Sequence, residues 1–142
     1  MGLNCNILHL EDDDNDSFFF QRALGQLHFH GTYRRVCSVE EAIEYFTGSG
    51  DFANRRLYPL PHVLVADNSL RSTKTTAQLM AWLKERSELP SLTTIMLTGA
   101  GNTMAVQQPL PEGVTRVLQK RADLDELSAS VEKVLKGCIP PS

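Results

Sequence analysis

The sequence has few of the features that mark membrane, nucleic-acid-binding or disulfide-rich proteins. Its apolar runs fall far short of the roughly 20 residues that a membrane helix needs, and no charged stretch followed by an apolar one opens the chain as in a secretory signal. Lys and Arg number 14 against 17 Asp and Glu, without a basic block, which argues against a nucleic-acid surface. The three cysteines, Cys5, Cys37 and Cys138, lie far apart and form no Cys-x-x-Cys pair. We therefore expect a cytoplasmic protein with reduced thiols that binds neither membrane nor nucleic acid.

The length of 142 residues suits one domain, and 42% hydrophobic residues are enough for a core. We expect residues 1–142 to form a single domain whose core spans about residues 4–137. Because such a domain leaves no room for an attached output unit, any signal it carries is expected to pass through protein contacts.

Short apolar runs alternate with segments of helical periodicity along the chain. The predicted strands are Cys5–Leu10, Thr32–Cys37, His62–Ala66, Thr93–Leu97 and Val114–Leu118. Five helices are predicted. The first carries Phe20, Ala23, Leu24 and Leu27 on one face and is broken at Gly31, and the second runs from a Ser38–Glu41 capping box to Gly48. The others are Thr76–Lys84, a short helix at Asn102–Gln107, and a last helix that begins near Leu124 and is closed by Gly137. This alternation predicts an α/β fold with a parallel, doubly wound sheet covered on both faces. In such folds the functional crevice lies beyond the carboxyl ends of the strands.

Polar residues follow four of the predicted strands at this edge of the sheet. Glu11 and Asp12 follow the first strand, Asp67 the third, Thr98 the fourth and Lys120 the fifth. Clustered carboxylates repel one another and favour a bound cation, and oxygen ligands suit Mg²⁺. A carboxylate can then attack phosphorus while a hydroxyl and an amine hold the phosphoryl oxygens. These residue types indicate an aspartyl-phosphate site.

Four segments resemble the receiver domains of two-component response regulators. They are Ile7–Asp12 (Ile-Leu-His-Leu-Glu-Asp), Val63–Asp67, Ile95–Gly99 and Val117–Lys120. Each segment alone is weakly specific, but their order and their placement at four strand ends extend the resemblance over nearly the whole chain. The resemblance implies a flavodoxin-like (βα)5 fold with strand order 2-1-3-4-5.

The resemblance also implies a role for each residue of the site. Asp67 would be the phosphoacceptor, and Asp12, Asp67 and the backbone carbonyl of Ser69 would be the direct Mg²⁺ ligands. Glu11 would support these ligands without binding the ion directly. Thr98 would supply the switch hydroxyl, and Lys120 the phosphate-binding amine. The chain would then be a phosphoprotein that promotes its own phosphorylation and dephosphorylation and turns over no separate substrate.

The implied partners are a sensor histidine kinase or phosphotransfer protein and a downstream protein target. The long loop before the third strand and the Lys-Arg-Ala-Asp-Leu stretch resemble single-domain receivers that partner bacterial phytochrome-type kinases. We expect the target to bind the face made by the fourth predicted helix, the fifth strand and the final helix, a face that could also serve a homodimer.

Three positions depart from the usual receiver pattern. Asn68–Thr76 contains neither the Pro nor the Gly that most receivers have after the acceptor, Arg121 replaces a usual Pro, and Val117 replaces a frequent aromatic residue. The first departure leaves open an alternative, a receiver-like scaffold that binds partners without being phosphorylated. A phosphohydrolase using Asp67 and Ser69 would need a substrate-binding cap, for which the chain has no space.

The remaining acidic residues and the histidines are expected to be structural. Asp13, Asp14 and Asp16 suit a solvated helix start, where acids complement the helix dipole. An EF-hand is excluded because the segment lacks the required Gly and Glu. His9, His28, His30 and His62 show no metal-ligand spacing.

Overall fold

The computed structural model describes residues 5–68, 70, 74–89, 91–99, 113–119 and 123–138. Its strands form one parallel sheet in the order β2-β1-β3-β4-β5. The strands are β1 (Ile7–Leu10), β2 (Tyr33–Val36), β3 (Val63–Asp67), β4 (Thr93–Thr98) and β5 (Arg116–Gln119). The predicted α/β class, parallel pairing and strand order are confirmed.

Helices cover both faces of the sheet. The described helices are α1 (Asp14–Gly25), α2 (Val39–Thr47), α3 (Thr76–Lys84) and α4 (Leu124–Cys138), with a 3₁₀ turn at Gly50–Ala53. Alternate residues of β3 belong to two hydrophobic cores, one on each face of the sheet. Val63 and Val65 pack with α1 and α4, whereas Leu64 and Ala66 pack with α2 and α3. This two-sided burial explains why the strand is apolar from Val63 to Ala66, before it ends at Asp67. None of the described helices is long and apolar enough to cross a membrane.

The end of the first helix differs from the prediction. Helix α1 ends at Gly25, so Leu27 lies beyond it and packs against the core from the loop. Gly31 does not break the helix. A Cβ at Gly31 would lie 1.5 Å from the carbonyl oxygen of Cys5, so the position requires glycine because two backbone segments approach closely there.

The predictions for the C-terminal part are shifted by a few residues. Strand β5 begins at Arg116, two residues later than predicted, and α4 continues through Gly137 to Cys138. Gly137 therefore does not end the helix. The predicted helix at Asn102–Gln107 lies outside the described residues.

Hydrogen bonds from side chains, and one left-handed glycine, fix the ends of helices α2 and α3. Ser38 caps α2 by accepting from the backbone N–H of Glu41, but the Glu41 carboxylate accepts from Cys37 N–H at 2.6 Å, so the predicted box is displaced by one residue. Gly48 ends α2 in the left-handed conformation, as predicted, with φ of 71°. Thr75 and Gln78 form a full capping box at α3 that is not among the caps predicted from the sequence.

Candidate functional site

Three carboxylates meet at the carboxyl edge of the sheet. Strands β1 and β3 are neighbours, and Leu10 lies opposite Ala66 in their register. The next residues, Glu11 after β1 and Asp67 at the end of β3, therefore come side by side. One oxygen from each of Glu11, Asp12 and Asp67 lies within 4.8 Å of the others. Glu11 and Asp67 are buried, whereas Asp12 is partly exposed. The predicted convergence of these three residues is confirmed.

Backbone and side-chain hydrogen bonds fix the acidic loop that follows β1. The N–H of Glu11 donates to the carbonyl of Val36 at 2.9 Å, which extends the β1–β2 ladder by one residue. The N–H of Asp13 donates to Glu11 Oε2 at 3.1 Å, and Asp13 in turn caps α1 by accepting from the N–H of Asp16. Asp13 and Asp16 thus belong to the helix start, as predicted.

Arg35 on β2 brings a cation to this loop. Its Nε donates to the carbonyl of Glu11 at 2.9 Å, and its guanidinium forms an ion pair with Asp14 at 2.8 Å. Arg35 is not among the site residues predicted from the sequence. Its register partner is His9, two residues before Glu11, so a basic residue near the end of the adjacent strand was the available signal.

Two hydrogen bonds hold the backbone around Asp67. The hydroxyl of Thr76, at the start of α3, donates to the carbonyl of Asp67 at 2.6 Å within the buried interior. The N–H of Asn68 donates to the carbonyl of Leu97 at 2.9 Å. Both bonds fix the chain where it leaves β3, so the Asp67 carboxylate has a defined position. Thr76 is a second positioning residue that the sequence did not reveal.

Thr98 supplies a hydroxyl at the same edge. It ends β4, the neighbour of β3, directly after the register pair of Asp67 with Leu97. The residue is 1% exposed, and its Oγ1 has no hydrogen-bond partner within the described part of the chain. A buried hydroxyl without a partner costs about 1–3 kcal/mol. Such a group is suited to bind a ligand oxygen at this edge.

A buried polar network lies behind the acidic cluster. His9 Nδ1 lies 2.6 Å from the hydroxyl of Tyr33, which is also 3.1 Å from Ser17 Oγ. Burial raises the pKa of Tyr33 to about 12. The imidazole of His9 also packs against Phe20, with ring centroids 4.6 Å apart. His9 is therefore a core residue, as predicted.

Two predicted site residues, Ser69 and Lys120, lie outside the described residues, and their roles stay predictions. Val117, at the position that is often aromatic in receivers, lies on β5 and is partly buried.

The donor set fits a divalent cation. Carboxylate oxygens are the ligands that Mg²⁺ and related hard cations prefer. Two of the three carboxylates are buried, where their mutual repulsion is screened least. Glu11, Asp12 and Asp67 could therefore hold a divalent metal ion.

No protein-family model and no curated protein sequence matches the chain. Similarity appears among solved structures. A response regulator in red light signaling of R. palustris matches with a TM-score of 0.76 and 19% identity, covering 91% of this chain and 90% of its own. The phosphorylated cyanobacterial phytochrome response regulator RcpA matches with a TM-score of 0.76 and 21% identity over 98% and 96% of the two chains. The Mn²⁺-bound response regulator Rcp1 matches with a TM-score of 0.74 and 21% identity over 97% and 96%.

These structural matches agree with the five-stranded parallel sheet and its strand order. Each covers nine tenths or more of both chains. The chain therefore has the fold of response-regulator receiver domains.

Proposed function

We propose that this chain is a receiver that acts as a phosphorylation switch in two-component signal transduction, with Asp67 as the phosphoacceptor. The observation that carries the proposal is the grouping of the buried Asp67 carboxylate with Glu11 and Asp12. The adjacent Thr98 hydroxyl, buried and without a described partner, supports it. The likeness to receiver structures, one of them phosphorylated, adds support from the fold.

The proposed reaction is transfer of a phosphoryl group from a phosphohistidine. A carboxylate oxygen of Asp67 attacks phosphorus, and the new O–P bond forms as the N–P bond breaks. The electron pair of that bond stays on the imidazole nitrogen, which takes up a proton. Thr76 holds the carbonyl of Asp67 and so keeps the nucleophile in place. Thr98 donates its hydroxyl proton to one phosphoryl oxygen, and Lys120 is proposed to bind another.

The proposed cofactor is Mg²⁺. Asp12, Asp67 and the backbone carbonyl of Ser69 would hold the ion, with Glu11 supporting them. A bound Mg²⁺ would neutralise charge on the carboxylates and on the incoming phosphoryl oxygens. The buried position of Glu11 beside Asp12 and Asp67 is consistent with this arrangement.

The proposed partners are a histidine kinase or phosphotransfer protein as donor and another protein as output target. Strand β5 lies at the edge of the sheet, and its residues Arg116 and Gln119 are exposed. In the described part of the chain no strand pairs with the outer edge of β5, and this edge, next to α4, is a suitable place for a target or for a second copy of the chain. Thr98 lies on the neighbouring strand β4, so its movement toward a phosphoryl group can alter this edge.

Beryllofluoride, which mimics a phosphoryl group, tests the site. Fluorine NMR should show a bound signal for the wild-type protein in the presence of Mg²⁺ and none in EDTA. Asp67→Asn should abolish the signal. Asp51→Asn, which removes an exposed carboxylate in the 3₁₀ turn, should keep it. Without a bound signal for the wild type, the chain would be an unphosphorylated scaffold.

The output is tested by association with a partner, or with itself, with and without beryllofluoride. Wild type and Thr98→Ala are compared. Beryllofluoride should change the affinity of the wild type, and Thr98→Ala should reduce that change. Equal affinity in all four cases would mean that the protein is a passive scaffold.

A further inference from the structure

A cavity of about 260 Å³ lies at the end of the sheet opposite to the acidic cluster. Thr94 lines it near the start of β4, whereas Thr98 ends the same strand about 13 Å away at 3.3 Å per residue. Most of its described lining is apolar, from the end of α2, the loop before β3, α3 and the segment leading to β4. The apolar lining includes Phe46, Leu60, Met80, Leu83, Leu89 and Leu92.

The hydroxyl of Thr94 is a polar group in this apolar surface. Thr94 is fully buried, and its Oγ1 has no hydrogen-bond partner in the described part of the chain. Its backbone groups are satisfied, since its N–H donates to Thr115 Oγ1 and its carbonyl accepts from Thr115 N–H. Thr94 thus lines the cavity, and its buried hydroxyl is a group that no described residue satisfies. It carries the full desolvation cost until a ligand or a water binds it.

The charged residues that line the cavity are basic. Within the described lining they are Lys84 and Arg86, and no carboxylate is among them. The guanidinium carbon of Arg86 lies 4.6 Å from the centroid of the Trp82 ring, and none of the described acidic residues forms an ion pair with it. Because the whole chain has a net charge of −3, this basic lining is a local feature. It favours an anionic ligand.

We propose that this cavity binds a small apolar carboxylate whose buried end carries one polar atom. The hydrocarbon part of the ligand contacts the apolar lining. The carboxylate accepts hydrogen bonds from the Arg86 guanidinium, in the field of Lys84. The polar atom pairs with the Thr94 hydroxyl. The cavity volume fits a ligand somewhat below the roughly 300 Å³ at which drug-sized sites begin, and the site is independent of phosphorylation at Asp67.

Three matched small molecules test the contact with Arg86 and the contact with Thr94 independently. 3-(4-Hydroxyphenyl)propionate has the carboxylate and the polar atom, 3-phenylpropionate lacks the hydroxyl, and 3-phenylpropan-1-ol lacks the charge. Binding is followed by ¹⁵N NMR and by the fluorescence of Trp82, the single tryptophan of the chain, whose ring lies 6.4 Å from that of Phe46. The hydroxylated acid should bind tightest, and the alcohol about tenfold more weakly than 3-phenylpropionate, as expected for one charge-assisted hydrogen bond.

Two variants assign these preferences to residues. Arg86→Gln should remove the preference for the acid over the alcohol, whereas Arg22→Gln, an exposed change on α1, should keep it. Thr94→Val should remove the preference for the hydroxylated acid. Because Thr94→Val also deletes an unsatisfied hydroxyl, it should leave the unliganded protein at least as stable as wild type, which shows that the variant folds.

Three results would overturn the proposal. One is the absence of binding by all three probes at millimolar concentration. Another is equal affinity for acid and alcohol in the wild type. The third is a pattern of shifted amide signals that leaves out Thr94 and Leu89.

Discussion

Replacement of Asp67 by Asn should stabilise the metal-free protein. In the wild type Asp67 lies within 4.8 Å of a carboxylate oxygen of both Glu11 and Asp12. Two unit charges at that separation repel by about 3.5 kcal/mol at an effective dielectric constant of 20, and by about 0.9 kcal/mol in bulk water. Since Asp12 is partly exposed and Glu11 is buried, we expect Asp67→Asn to raise the free energy of unfolding by about 1–3 kcal/mol in EDTA.

Urea unfolding with and without Mg²⁺ measures this effect. In Mg²⁺ the wild type should gain stability by mass action, by about 1.4 kcal/mol for each tenfold excess over the Kd, whereas Asp67→Asn should gain less. The difference in free energy of unfolding between Asp67→Asn and the wild type should therefore shrink or reverse in Mg²⁺. The exposed control Asp51→Asn should stay within about 0.5 kcal/mol of wild type in both conditions. Destabilisation by Asp67→Asn in EDTA, or an unchanged difference in Mg²⁺, would refute the electrostatic reasoning.

Three other predictions concern residues that hold the fold and the site. Arg55 donates to three backbone carbonyls at the end of α2 and in the following loop, so Arg55→Ala should lower the free energy of unfolding by about 2–4 kcal/mol, whereas exposed Arg56→Ala should change it little in the same urea assay. Thr76→Val should lower stability by about 1–3 kcal/mol and weaken beryllofluoride binding because it removes the hydrogen bond from the Thr76 hydroxyl to the buried Asp67 carbonyl, and Thr76→Ser should retain both stability and binding. Burial raises the pKa of Tyr33 from 10.0 to about 12, so its contribution to stability is complete below pH 10 and is lost as the pH rises toward 12. An ultraviolet titration should show a late tyrosinate step that Tyr33→Phe removes, and an ionisation of Tyr33 near pH 10 would contradict this assignment.

The sequence predicts the fold well because hydrophobic periodicity is strong in the central elements. β3 is apolar from Val63 to Ala66 and is buried on both sides, so its identity as a central strand follows from composition alone. Helix α3 was predicted with the bounds that the structure has, since Thr76–Lys84 carries its apolar residues at helical spacing. The edge strand β5 was misplaced by two residues because its exposed residues weaken the alternating pattern.

The acidic cluster could be predicted because parallel strands end at the same edge, so position along the chain implies position in space. The residues that orient the cluster could not be found in this way. Arg35 reaches Glu11 and Asp14 from a strand more than 20 residues away. Thr76 reaches the Asp67 carbonyl from the next helix. Such contacts depend on side-chain direction and strand register, which composition and periodicity do not determine.

The cavity at the opposite end of the sheet is a further feature that the sequence does not show. Its lining comes from several separate segments, and Thr94 resembles any polar residue in a strand until its burial is known. The alternation of β4 places Ile95 and Leu97 in the core under α1 and α4. The side chain of Thr94 consequently lies on the other face, where α3 packs.

The most direct test of the central claim is the intact mass of the protein after incubation with acetyl phosphate and Mg²⁺. Wild type and the exposed control Asp51→Asn should each gain one phosphoryl group. Asp67→Asn should gain none, and wild type in EDTA should gain none. Phosphorylation of Asp67→Asn to the same extent as wild type would contradict the assignment of Asp67 as the phosphoacceptor, and a wild-type mass that never increases would contradict the phosphorylation switch itself.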